Sequence, residues 1–393
     1  MLNKHKFPLI FNKFAQKSKQ DLETYLQEVF FILLIVCLLI QLYFLLNNHL
    51  KLSRTIKDIE IPEVTIPVSV IISARNESNN LLTNLPLILQ QKYPDYEVIV
   101  VNDSSYDDSE NILLELKNSY NHLKIVTVAI NDKYRTGKKF ALTLGIKAAK
   151  NEHLLFTDAD CIPASSDWIT RMVANFEPGK EIILGYSPYN RTKNIINPLI
   201  RFETIKTAIN YFSAALKGKA YMGIGRNLAY TKTLFFNNKG FASHMHVLSG
   251  DDDIFVNENA TLTNVAIETH PDSFMYSIPK TTFGDWFNQK RRHFGAGKFY
   301  KGQHKALISL DAITGLFYYI SLAACLLLNF EPYIVLGVFL GRYLLQILIY
   351  RKLFKQFKGY YFLFYLPLLD ILYYFYLNIF GMIAAFTRNK KWK

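Results

Sequence analysis

The chain has 393 residues, half of them apolar, a net charge of +13 and only three cysteines. That length buries a sizeable core and holds more than one structural region, while the cysteine spacing excludes a disulfide framework or a zinc site and fits a reducing compartment. The basic balance suits nucleic acid or an anionic membrane face, and the apolar segments favour the membrane.

In chain order, a basic N-terminal segment (1–28) carrying Lys4, Lys6, Lys13, Lys17 and Lys19 precedes the first apolar run, Val29–Leu46. Its 18 residues suit a short membrane-spanning anchor, which needs about 17–25. The segment before it is too long for a simple cleaved signal peptide.

Short apolar runs then alternate with helical stretches. Val68–Ser73, Glu97–Asn102, Leu123–Val128 and His153–Thr157 read as strands, and Leu81–Gln91, Asp108–Lys117 and Lys138–Lys150 as helices. This alternation predicts an α/β domain with a mostly parallel central sheet. No Gly-x-Gly-x-x-Gly or other phosphate loop follows the first strand, which argues against nicotinamide and P-loop chemistry.

The strand ends are polar and acidic. The first ends at Ala74-Arg75-Asn76-Glu77, the second at Asn102-Asp103-Ser104-Ser105 with Asp107 and Asp108 beyond, the fourth at Asp158-Ala159-Asp160. Open parallel sheets place ligands at these carboxyl ends. Hard carboxylate oxygens suit Mg²⁺ or Mn²⁺ against a diphosphate, so the rim reads as a nucleotide-plus-metal site; helix caps and turns are the other reading.

Further on, Ile195–Leu216 has apolar residues at helical spacing, for core packing or for docking at an interface. Gly250-Asp251-Asp252-Asp253 crowds three carboxylates, which raises one pKa and suits a general base; a solvated helix start is the alternative. Gln289-Lys290-Arg291-Arg292-His293, flanked by Trp286, Phe287, Phe299 and Tyr300, reads as a membrane-surface helix, as a clamp for a departing diphosphate, or as both.

Ile313–Phe330 and Tyr333–Tyr350 predict a membrane hairpin turned at Glu331-Pro332, and Tyr360–Phe386 a further run interrupted by Pro367 and Asp370. The short basic loop Arg351–Lys358 places residues 52–310 on the cytoplasmic side. The basic N-terminal segment and the tail Arg388–Lys393 resist that arrangement, unless a flanking run lies in the interface.

The order of these motifs resembles the membrane-anchored family-2 glycosyltransferases of GT-A fold, over roughly residues 67–300 and the trailing helices (about 313–330, 333–350 and 360–386). The resemblance implies an inverting transfer of a hexosyl or N-acetylhexosaminyl group. The donor would be a nucleotide-sugar, UDP-linked by expectation, and the acceptor a lipid-linked or saccharide hydroxyl in cell-envelope glycan synthesis. Ala74, Arg75, Glu77, Asp103, Lys138 and Asp158 would bind the nucleotide-sugar, with Asp103 on the uracil. Asp158 and Asp160 would hold Mg²⁺ or Mn²⁺, Asp160 the more direct ligand. Asp252, with Asp251 beside it, would be the base, and Gln289, Arg291 and Arg292 the diphosphate clamp. Processive polysaccharide synthases of this family carry Gln-x-x-Arg-Trp; here His293 replaces the Trp, which leaves processive synthesis as the alternative. A non-catalytic membrane scaffold or lipid transporter is a second alternative, and the retained acids speak against it. Nucleic acid is not an expected partner: no reading motif occurs, and the basic residues sit beside apolar spans. The expected location is the bacterial inner membrane, with the catalytic domain cytoplasmic.

Overall fold

The computed structural model describes residues 6–56, 60, 63–129, 137–247 and 249–386, so that Lys4 and the basic tail Arg388–Lys393 lie outside the described residues. Helix α1 (Lys6–Phe44) leads through a π-helical turn (Leu45–His49) into α2 (Leu50–Thr55). The apolar run that marks the anchor is thus only part of a longer helix. The polar turns before it are rich in Gln, Glu, Lys and Leu, good helix formers that let the helix propagate beyond the apolar stretch.

The α/β region follows as β1 (Val68–Ala74), α3 (Ser78–Leu89), β2 (Tyr96–Asp103), α4 (Ser109–Ser119), β3 (Leu123–Val128), α5 (Lys138–Ala148), β4 (His153–Asp158), β5 (Cys161–Pro163), α6 (Trp168–Val173), β6 (Ile182–Leu184), α7 (Asn197–Ala215), β7 (Leu228–Thr231), α8 (Lys232–Asn237), α9 (Asp253–Asn259), β8 (Val265–Ile267) and β9 (Met275–Ser277). Among the described residues β3-β2-β1-β4-β7-β6-β8 form one sheet. The first four strands of that order pair in parallel, and β7 inserts antiparallel between β4 and β6. Strands β1, β2 and β4 are buried almost throughout, which is why they read as continuous apolar runs. Two cores line the two faces of the sheet, one of which continues into the membrane helices.

Helices α10 (Phe283–Ala296), α11 (Gly302–Leu327), α12 (Pro332–Gln356) and α13 (Leu366–Phe386) complete the chain. Among the described residues four helices are long and apolar enough to cross a membrane: the first helical segment over Lys19–Thr55, α11, α12, and α13 with the short turn before it. Helices α1 and α11 pack antiparallel. Gln27 donates to the Leu328 carbonyl at 2.8 Å, and Gln41 to the Asp311 carbonyl at 3.1 Å.

The fourth run is not interrupted as its sequence suggests. Pro367 is the second residue of α13, where a missing N–H costs nothing. Asp370 is fully buried and paired with Lys206 and Arg342, so its charge is neutralised rather than helix-breaking. From Asp370 to Phe380, α13 keeps company with α7 and α10: Asp370 meets Lys206, Tyr373 meets Asn210, and Phe380 packs on Trp286, Phe287 and Phe294.

Helix α7 is buried on nearly every side. Phe202 packs on Phe354, Phe362 and Tyr373, so this helix joins the sheet domain to the membrane helices. Lys290 of α10 turns inward to an ion pair with Glu203 of α7, while Trp286 stacks on Tyr376 with ring centroids 5.3 Å apart. The basic cluster is therefore divided. One cation anchors the helix, and Arg291, Arg292 and His293 occupy its exposed side.

Candidate active site

The parallel register brings the acidic strand ends together. Ser73 pairs with Asp158 across β1 and β4, and Ala74 with Asn102 across β1 and β2. Beyond those ends the backbone turns sharply, with Asn76 and Ser104 both at φ +56°. Such left-handed residues persist only where their surroundings hold them, commonly at sites. Here the two turns hold each other. Asn76 N–H donates to Ser105 Oγ at 2.9 Å, Tyr106 N–H to Asn76 Oδ1 at 2.9 Å, Glu77 N–H to Ser109 Oγ at 3.1 Å and Ser78 N–H to Asp107 Oδ2 at 3.0 Å.

Asp103 lies at the floor of this rim, 3% exposed, with its Oδ1 buried and without a hydrogen-bond partner. Burial raises its pKa, opposed by the positive charge of Arg75. Glu77 accepts from Asn80 at 2.6 Å; burial raises its pKa too, with Asp160, Asp158 and Asp107 adding to the effect. An unpaired buried acceptor is costly to leave unmade, typically about 1–3 kcal/mol, which makes Asp103 Oδ1 a candidate acceptor for a donor from a ligand.

Lys138, the first residue of α5, ties the rim to the acidic loop. Its ammonium lies 2.9 Å from Asp158 Oδ1 and 3.0 Å from Asp251 Oδ2. Burial works against its charge, but Asp158, Asp251 and Asp252 outweigh burial and hold its pKa well above the usual lysine value. Lys138, Asp158 and Asp251 line, with Leu142, Phe156, Gly225, Leu228 and Tyr230, a narrow cleft partly open to solvent.

In the acidic loop, Asp252 precedes α9 and accepts from Asp253 N–H through Oδ1 (2.8 Å) and from Gly225 N–H through Oδ2 (2.7 Å). Burial and the neighbouring Asp251 raise its pKa. Burial acts on Asp251 in the same direction, but Lys138 prevails and lowers it. Burial drives Asp253 well upward, and it accepts from Tyr300 OH at 2.8 Å. Gly250 has φ +97°, and a Cβ there would lie 2.3 Å from Ile254, so the tight approach of this loop to α9 requires glycine.

Asp160 lies past the end of β4, with Cys161 Sγ at 3.3 Å and Ser277 Oγ at 3.4 Å. Asp158 and Asp160 offer hard oxygen donors, and among the described residues no third His, Cys, Asp or Glu joins them in a cluster. Mg²⁺ is ordinarily held by one or two carboxylates plus substrate phosphates, so this donor set fits an ion shared with a diphosphate rather than one caged by protein.

Of the expected clamp, Gln289 donates to Tyr189 OH at 3.3 Å, Arg291 is exposed, and the Arg292 carbonyl accepts from Ser249 Oγ at 3.3 Å beside the acidic loop. The sequence reading takes in Arg226 only as part of Gly223–Asn227, which the family resemblance sets on the acceptor side, with no role for the residue itself; its guanidinium stacks 4.3 Å above the Tyr189 ring. Its one sequence signal is a charged residue inside the tight Gly223-Ile224-Gly225-Arg226-Asn227 turn. Asn227 locks that turn. Its amide donates to the carbonyls of Tyr186 and Ser273, both at 2.8 Å, and its oxygen accepts from Trp168 Nε1 at 2.9 Å. Asn227→Ala strands three buried groups at about 1–3 kcal/mol each; chemical denaturation should show a loss of at least the lower figure, and an unchanged midpoint would remove the locking role.

Residues 69–248 match Glycosyl transferase family 2. Curated relatives include a poly-beta-1,6-N-acetyl-D-glucosamine synthase of Staphylococcus epidermidis, 26% identical over 61% of this chain and 55% of the relative. Another is the Escherichia coli UDP-Glc:alpha-D-GlcNAc-diphosphoundecaprenol beta-1,3-glucosyltransferase WfaP, 28% identical over 33% of this chain and 48% of the relative. The chain thus spans about half the length of these relatives. A mannosyltransferase of Pyrobaculum calidifontis, solved in complex with GDP-Man and Mn²⁺, shares the fold with TM-score 0.55 and 17% identity, covering 91% of this chain and 99% of that one.

Proposed function

Because residues 69–248 are a family 2 glycosyltransferase domain, here carried with four helices able to cross a membrane, we propose that this chain is a membrane-bound inverting transferase. It moves a sugar from a nucleotide diphosphate, UDP by preference, to a hydroxyl of a lipid-linked or saccharide acceptor. The observation that carries this reading is the double ion pair of Lys138, which brings the diphosphate end of the rim and the candidate base loop to within about 3 Å of one ammonium.

Asp103 accepts a hydrogen bond from the base through its unpaired Oδ1, and Glu77 lies beside the ribose. Asp158 and Asp160 would hold Mg²⁺ or Mn²⁺, which supplies positive charge to the diphosphate. Asp252 takes the acceptor proton as the hydroxyl oxygen attacks the anomeric carbon. The glycosidic C–O bond breaks on the opposite face, and its electron pair departs on the β-phosphate oxygen. Asp251 stays ionised against Lys138 and keeps that ammonium in place.

The acceptor is read as lipid-linked because α7, buried within the sheet domain, packs through Phe202 directly on the helices able to cross a membrane. The basic loop after α12 puts this face in the cytoplasm. Similarity to polysaccharide synthases favours processive synthesis as the second reading; long chains formed without short intermediates would support it over single transfer.

A donor screen in nanodiscs, reading UDP release from several UDP-sugars with and without Mn²⁺, tests the assignment. UDP with Mn²⁺ is also expected to stabilise the protein by about 2.7 kcal/mol at a hundred times its Kd. Neither turnover nor stabilisation with any nucleotide would refute the reading.

A further inference from the structure

We propose that Arg226 is the cation that receives the departing diphosphate, with Tyr189 and Gln289 as its positioning residues; this rests on the transferase reading above. Three observations carry it. First, Arg226 is held in place from both sides. Gly225 donates to the Asp252 carboxylate at 2.7 Å, and Asn227 is completely buried with its side chain bonded in three directions. The backbone of Arg226 is thereby fixed directly beside the candidate base.

Second, the guanidinium is prepared but unsatisfied. It stacks on Tyr189, and Nη2 makes only a long contact of 3.4 Å to the Ser187 carbonyl. Nη1 is buried without a hydrogen-bond partner. A charged donor desolvated and unpaired is expensive, so its retention points to an anion that completes it. A planar fork of N–H donors matches phosphate oxygens two at a time.

Third, the location is that of the diphosphate. Tyr189, the ring beneath Arg226, bridges to Ser277, whose Oγ lies 3.4 Å from Asp160, and Gly225, the residue before Arg226, lines the cleft together with Asp158. Gln289 reaches the same spot by donating to Tyr189 OH. The Gln of the α10 cluster therefore acts on the site through the platform beneath Arg226, whereas Arg291 and Arg292 lie on the exposed side of that helix.

As the glycosidic bond breaks, the electron pair that leaves on the β-phosphate oxygen adds negative charge where Nη1 is unpaired. Preorganised donors aimed at developing charge are worth about 10²–10³ in kcat.

The test compares full-length wild type, Arg226→Met, Arg226→Lys and Tyr189→Leu in nanodiscs, measuring kcat for UDP release and affinities for UDP and UMP. Arg226→Met should lower kcat by about 10²-fold or more. It should also weaken UDP by about tenfold while leaving UMP within a factor of about three, because UMP lacks the β-phosphate. Arg226→Lys keeps the charge but not the fork and should recover only part of both losses. Tyr189→Leu should reduce the UDP-to-UMP preference in the same direction by a smaller factor. A purely structural arginine would weaken UDP and UMP equally, or leave the ratio at its wild-type value, and either result overturns the proposal. Wild type that neither binds UDP nor releases it from a UDP-sugar would overturn the transferase reading as well, whereas an active wild type with an equally active Arg226→Met would sink this inference alone.

Discussion

Asp252→Asn should cut sugar transfer by about 10²–10⁴-fold, the usual worth of a positioned general base, while UDP affinity stays within about threefold of wild type. The carboxylate is fixed by two backbone N–H donors, from Gly225 and Asp253, one on each oxygen. Asn keeps one acceptor but turns an N–H₂ toward the other backbone N–H, so one of the two hydrogen bonds is lost together with the capacity to take a proton. In the proposed assignment the base of UDP is held instead by Asp103. Retention of turnover within tenfold would remove Asp252 from the role of base.

The pH dependence follows the same electrostatics. Burial and Asp251 raise the pKa of Asp252. A base acts only when deprotonated, so kcat should fall as pH drops through a value above the ordinary aspartate range. Asp251→Asn removes the repelling charge, so Asp252 becomes a stronger acid and the acidic limb of the kcat profile moves to lower pH. A limb that stays in place, or moves up, would show that Asp251 does not set the protonation of the base.

Asp370→Leu should destabilise the protein by about 3–5 kcal/mol, the cost of breaking a buried ion network on one side. The Asp370 carboxylate is 0% exposed and meets Lys206 Nζ at 3.1 Å, Arg342 Nη2 at 3.1 Å and Tyr319 OH at 2.9 Å. Lys206, 1% exposed, also donates to Tyr350 OH at 2.8 Å. One carboxylate thus joins four helices, α7, α11, α12 and α13, and its removal leaves two cations facing each other in an apolar bundle. The triple replacement Lys206→Met, Arg342→Met, Asp370→Leu removes every charge and should cost clearly less than the single change, since apolar residues of similar volume replace buried pairs at little loss. Thermal melting in detergent compares the two. A triple variant no more stable than the single one would mean that the network contributes packing rather than compensated charge.

The α/β domain was legible because its central strands are buried on both faces. Val68–Ala74 and His153–Asp158 then read as apolar runs, and the first polar residue after each marks the carboxyl end. In-register parallel pairing makes those ends neighbours, so Glu77, Asp103, Asp158 and Asp160 could be placed on one rim without coordinates. The family resemblance matches the comparison over residues 69–248.

Other features depend on contacts far apart in the chain. Helix α7 has no single apolar stripe facing one way, because it is covered both by the sheet domain and by the membrane helices. Asp370 looks like an interruption until Lys206 and Arg342, 164 and 28 residues away, are seen around it. Lys138 joins acids from two separate segments, and Arg226 gains meaning only from Tyr189 below it.

The sequence alone determined the first four strands, the acidic character of their ends and the apolar spans, since periodicity and helix length are local or nearly local properties. The tertiary structure decided which cations meet which carboxylates. Charge pairing depends on distance and desolvation, and both arise only when segments far apart in the chain are packed together.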